Sequence, residues 1–203
     1  MPSAPRDFAP GLHHIWVGAT GDESYFVDAE DRITWLRHLV ATVRLFGWTC
    51  VAFCQMTTHV HLIVDVPDQS LPLGMKRLNL RYSKDFNARH NRRGQLIRRR
   101  YGSRRITDGR DLVGAYVYVV ANPETAGMCD HPANWHWSSY TTTLGLSGDF
   151  PFVDASVVIA EAGGTVETLQ RVVDSRERSN WPQRTWPVSD TGRVPLGQVT
   201  SAA

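Results

Sequence analysis

The 203-residue chain has three cysteines, and no two of them form a Cys-x-x-Cys pair, so sequence offers no structural zinc site. Cys50 and Cys54 fall four residues apart on one predicted strand, too far to bridge each other. Free thiols and a cytoplasmic setting are therefore expected. No run of about 18 apolar residues is present to span a membrane, and Met1–Pro10 lacks the apolar centre of a signal peptide. Net charge is also nearly absent, at +2, but that balance hides an asymmetry. Lys76, Arg77, Arg81, Lys84, Arg89, Arg92, Arg93, Arg98, Arg99, Arg100, Arg104 and Arg105 share one segment with a single acid, Asp85, giving that segment +11 and the remainder −9. So basic a block inside a mildly acidic chain is the footprint of a polyanion partner; the alternative is a solvated charged surface.

At 42% hydrophobic residues, the chain has material for a normal core. His13–Thr20 reads as a first strand. Asp28 is placed to cap a helix in which Ile33, Leu36, Leu39, Val40, Val43 and Phe46 recur at helical spacing, and Gly47 stops it. Trp48–Gln55 is rich in strand formers, and a short Met56–Thr58 link joins it to His59–Val66 as a hairpin. A second helix opens after Asp68-Gln69-Ser70, with Pro72 tolerated in its first turn. Met75, Leu78, Tyr82 and Phe86 make its apolar stripe. Gln95–Ile106 reads as a partly extended segment. Composition makes Leu112–Ala121 a strand, whereas its place after β-α-β-β-α-β also allows a closing helix; Asn122-Pro123 is expected to end it. His131–Tyr140 is aromatic and expected to pack over the sheet. Ala155–Arg178 reads as one or two helices broken at Gly163-Gly164.

The expected fold is α+β: an antiparallel ferredoxin-like sheet with helices packed on one face and a C-terminal helical extension. The principal domain covers 1–150, the extension 151–180, and a loosely ordered tail 181–203.

Within this frame His59–Val66 carries the chemistry. Val60, Leu62, Val64 and Val66 alternate onto one face, while His59, His61, Ile63 and Asp65 take the other. The face with the histidines is expected to be open. Two imidazoles two residues apart on a strand can converge on one ion; the alternative is a pair of ordinary strand residues. Of the adjacent His13 and His14, at most one could join them.

Four segments together resemble one family. Met56–Val64 (Met-Thr-Thr-His-Val-His-Leu-Ile-Val) resembles the "Met-Pro-Asn-His-Val-His-Leu" segment of the HUH single-tyrosine transposases, the insertion-sequence-200-like group that includes the REP-associated tyrosine transposases. Phe86-Asn87-Ala88-Arg89-His90, with Gly94, Arg100 and Tyr101, is similar to that family's "Phe-Asn-Arg-Arg-His … Gly … Arg-Tyr" stretch. Tyr118–Gly127 is similar to "Tyr-Ile-x-x-Asn-Pro-x-x-Ala-Gly", and Trp137-Ser138-Ser139-Tyr140 matches the closing "Trp-Ser-Ser-Tyr". Residues 12–140 are covered; the chain beyond Phe150 is not. Thr57-Thr58 replaces the more usual Pro-Asn.

The resemblance implies a late helix bearing a nucleophilic tyrosine, Tyr118, and a third metal ligand, Asn122. In a helix these two share one face and Tyr116 points away. It further implies a transposase that cleaves and rejoins single-stranded, hairpin-bearing DNA through a 5′-phosphotyrosine, assisted by a divalent metal. Magnesium or manganese serves the family; two nitrogens and one amide oxygen suit manganese better. The basic segment would hold the DNA backbone, with Tyr82, Tyr101 and Trp135 as candidate base-stacking residues. The expected setting is cytoplasmic and nucleoid-associated, as a monomer or homodimer. Two alternatives remain: a domesticated hairpin-binding protein that cuts nothing, and a nuclease using metal-bound water.

Overall fold

The computed structural model describes residues 8–19, 23–97 and 100–175; the expected tail, and Arg98 and Arg99, lie outside them. The element order begins β1 (Gly11–Gly18), α1 (Ala29–Phe46), β2 (Thr49–Gln55), β3 (His59–Val66), α2 (Leu71–Arg89), β4 (Gly102–Arg105) and α3 (Gly109–Thr125). The sheet order is β2-β3-β1-β4, with every neighbouring pair antiparallel. This is the expected α+β, ferredoxin-like arrangement. A 3-10 turn (Pro132–Asn134) and the short helices α4 (Tyr140–Thr143), α5 (Ser156–Glu161) and α6 (Val166–Asp174) follow. No helix of the described residues is long and apolar enough to cross a membrane.

Local sequence sets the boundaries. Asp28 accepts a hydrogen bond from the Asp31 backbone N–H, and Asp31 in turn accepts one from Val27 N–H, so two donors at the start of α1 are satisfied reciprocally. Gly47 ends α1 in the left-handed region at φ 65°, where glycine carries no steric penalty. Asp108 and Asp111 repeat the reciprocal pattern at the start of α3. That cap, and an apolar surface to lie on, override the strand-like composition of Leu112–Ala121.

The Val60, Leu62, Val64 and Val66 face of β3 packs with Leu36, Leu39 and Val43 of α1 and Met75, Leu78, Tyr82 and Phe86 of α2 in one core. The opposite face corrects an expectation: it is not open. Val113, Tyr116, Val117 and Val120 of α3, with Val158, Leu169 and Val173 of α5 and α6, pack there around Ile63, Val51 and Ala52. A register shift between Cys50 and Ala52 is the physical reason. The bulge turns two successive residues of β2 to this face, giving its β2–β3 half too much apolar surface to leave in water. The same bulge puts Cys50 and Cys54 in different cores.

A second correction concerns Pro123, which does not end α3; the helix continues to Thr125. Lying in the last turn, this proline gives up one backbone hydrogen bond and crowds the carbonyl one turn back, with only two helical residues following it. The His131–Tyr140 segment closes the outer edge of β2: Gln55 N–H donates to Trp137 O, and Ser139 N–H to Phe53 O. An edge that would otherwise invite another strand is thereby occupied.

Candidate active site

The hairpin turn that delivers β3 is fixed from outside. Thr57 O accepts from both Tyr25 and Phe26 N–H, and Thr58 O accepts from Ala19 N–H. The Thr58 hydroxyl lies 3.0 Å from His59 Nδ1, so the threonine that departs from the family pattern anchors the first imidazole. With Nδ1 engaged, His59 turns Nε2 inward, 3.1 Å from His61 Nε2. The side-chain amide of Asn122 stands 3.3 Å from that same His61 nitrogen.

Ligands about 2 Å from one ion stand about 3 Å from each other, so the two imidazoles are spaced as ligands of one cation would be. Rotation of the Asn122 amide decides whether oxygen or nitrogen faces them. Among the described residues no group of three His, Cys, Asp or Glu side chains is arranged to hold a metal. A cation here would therefore take two imidazoles and an amide oxygen, leaving positions for phosphate oxygens. The donor set fits a divalent ion.

α3 brings its two residues to the same place. From Leu112 to Pro123 every residue is buried except Tyr118 and Asn122, which are half-buried and one helical turn apart. The Tyr118 ring stands edge-on to His61, with centroids 5.2 Å apart, and 5.7 Å from His14. Tyr116 turns into the core and is fully buried. One chain thus supplies the phenol and both imidazoles.

Of the adjacent His13 and His14, it is His14 that joins this cluster. Its Nε2 lies 3.1 Å from His61 Nδ1. Burial, then the nearby Arg104 guanidinium, pushes His14 down to about 3. Burial also holds His61 well below the ordinary histidine range, with His59 and His14 adding to the effect. Both rings are neutral at physiological pH, the form in which imidazole can bind a metal. Strand alternation puts His14 on one face of β1, but only the register, with His14 opposite Ile63, reveals that this face is the histidine face.

The basic segment is divided. Arg89 is bound to Asp28 and Asp31 at 2.6 and 2.7 Å, Arg92 pairs with Glu23, and Arg104 pairs with Asp111. Lys76, Arg77, Arg81 and Lys84 lie on α2, in the layer on the other side of the sheet from the imidazoles. Arg93, Arg100 and Arg105 are exposed, and Arg105 donates to Pro10 O at 3.3 Å. Of the candidate stacking residues, Tyr82 and Tyr101 are buried. Tyr82 donates to Tyr25 O. Trp135 is half-buried and donates to Gln55 O at 3.1 Å.

No protein-family model matches the chain, and no curated protein matches it. A solved structure of a REP-associated tyrosine transposase bound to a REP hairpin is similar in fold, with a TM-score of 0.64 at 15% identity, covering 78% of this chain and 93% of that one.

Proposed function

We propose that this protein is a metal-assisted tyrosine transposase or endonuclease acting on single-stranded DNA beside a hairpin. The observation that carries the reading is the meeting of Tyr118 and Asn122, the two half-buried positions of an otherwise buried stretch of α3, with His59 and His61. Likeness to a transposase seen with a hairpin supports the choice of substrate. The setting that goes with it is cytoplasmic and nucleoid-associated.

In the proposed reaction the Tyr118 phenol oxygen attacks a backbone phosphorus. The new Oη–P bond forms as the P–O3′ bond breaks; the phenol proton passes to solvent and the leaving oxygen takes one up as a 3′-hydroxyl. A 5′-phosphotyrosine conserves the phosphodiester and can be attacked by another strand end. A free phenol, with pKa about 10, is a weak nucleophile at neutral pH. A divalent ion held by His59, His61 and Asn122 would polarise the phosphate and offset charge developing on it. His14 and Thr58 hold the imidazoles in place, and the exposed Arg93 and Arg100 supply cations for the backbone; Arg105, opposite His13, projects from the other face of the sheet.

The test is a labelled hairpin strand incubated with protein and manganese, then run on a denaturing gel. The expected product is a DNA–protein adduct that Tyr118→Phe abolishes. Cut ends persisting in Tyr118→Phe would assign the attack to water, and binding with no cutting would make the protein a hairpin-binding module.

A further inference from the structure

Trp16 is a large aromatic residue on the site face that the proposed chemistry does not use. In the β1–β3 register it stands directly opposite His61, and in the β1–β4 register directly opposite Gly102. Directly paired residues of antiparallel strands project from the same face, so the indole lies one strand away from a candidate metal ligand. Its ring centroid is 5.5 Å from that of His14. Gly102 makes room for it: a Cβ at 102 would stand 2.1 Å from Trp16 Cε2 and 2.4 Å from Nε1. Arg104, opposite His14 in β4, borders the same shoulder. α3 lies mainly over β2 and β3 and reaches the other two strands through Tyr118 beside His14 and Asp111 bound to Arg104; Trp16 is half-buried where Ile15 and Val17, on the other face, are buried.

We propose that Trp16 is a stacking platform for an unpaired nucleobase adjoining the scissile phosphate, making the β1–β4 shoulder a nucleobase subsite. The inference rests on the strand-cleavage reading given above and deepens it. An unpaired base presents an apolar π-face whatever its identity, so an indole holds it without reading sequence. A base inside a duplex is already stacked on its neighbours, so the subsite selects the single-stranded flank rather than the stem. A base fixed one strand away from His61 also fixes the phosphate next to it, which is how a remote contact serves a reaction at the imidazoles.

The test uses full-length Tyr118→Phe protein, so that binding is read without cleavage, and a fluorescein-labelled hairpin strand selected for binding to it. Single abasic sites are walked through the unpaired flank. With Trp16 present, one abasic position is expected to weaken binding about tenfold, the scale of one lost stack. In Trp16→Ala the intact strand is expected to bind about tenfold more weakly, and that same abasic site then to cost nothing further. Trp16→Phe restores the abasic penalty, and Gly102→Ala, which displaces the indole without removing it, lowers it. Thermal melts of each variant verify the fold. Abasic penalties that persist unchanged in a folded Trp16→Ala protein would overturn the subsite while leaving the cleavage reading intact. Failure to bind any hairpin strand would overturn both.

Discussion

On its α1–α2 side, β3 presents Val60, Leu62, Val64 and Val66, every one of them buried among apolar side chains. On its α3 side the same strand presents two buried imidazoles before reaching Ile63 and the exposed Asp65. Valine or isoleucine would fill the positions of His59 and His61 without the cost of taking polar rings out of water. That cost falls at one end of one face, where β1 adds His14 and α3 adds its two half-buried polar residues. Three imidazoles, a phenol and an amide gathered at one end of one face mark a candidate site, whereas the apolar α1–α2 face of β3 is there for stability.

The sharpest way to break this contrast is on α3 itself. Tyr118→Phe is expected to lower adduct formation by at least about a thousandfold, with hairpin binding within about twofold in fluorescence anisotropy. Tyr116→Phe, altering a ring buried in the core, should leave the adduct in place. Equal loss from both would remove the distinction between them.

Acid should separate the two faces next. Burial holds His14 at about 3 against 6.5 unperturbed, so below pH 6.5 the unfolded chain takes up a proton that the folded chain refuses. The stability linked to this group is present above pH 6.5 and is lost progressively as pH falls towards 3, to a total of about 4 kcal/mol. His61 acts in the same direction. Urea unfolding of metal-free protein at pH 7 and pH 4 should show a smaller loss for His14→Asn than for the natural sequence.

Truncation of the apolar face sharpens the comparison further. Leu62→Ala should cost about 3 kcal/mol in urea unfolding and leave manganese affinity per folded molecule unchanged. His61→Ala should reduce manganese affinity at least about tenfold by titration calorimetry with a smaller effect on stability. The smallest expected effect is at the start of α3. Asp108→Ala removes the acceptor for Asp111 N–H and should lower stability by about 1 kcal/mol.

Alternation, caps and helical spacing made β1, α1, β2, β3 and α2 legible in the sequence, because each depends on neighbours along the chain. α3 was legible only from its place after β-α-β-β-α-β and from family resemblance: its valines and tyrosines favour a strand, and what makes it a helix is its cap at Asp108 and the sheet it covers. The bulge at Cys50–Ala52, and hence the covered second face, carries no glycine or proline to announce it. His59 and His61 could be read as a pair from their spacing. The approach of His14 and the placement of Trp16 depend on strand register, which no local pattern encodes. The division of the basic segment likewise follows from acids distant in sequence, such as Glu23 against Arg92.

The central claim is that the Tyr118 oxygen and the two imidazoles act on one phosphate. It is tested most directly by proteolysis and mass spectrometry of protein incubated with manganese and a hairpin strand. The expected result is a nucleotide joined through a 5′-phosphate to the peptide containing Tyr118, absent when His61 is replaced by alanine. A nucleotide attached to a different residue, or cleaved strands with free 5′-phosphates and unmodified Tyr118, would contradict it.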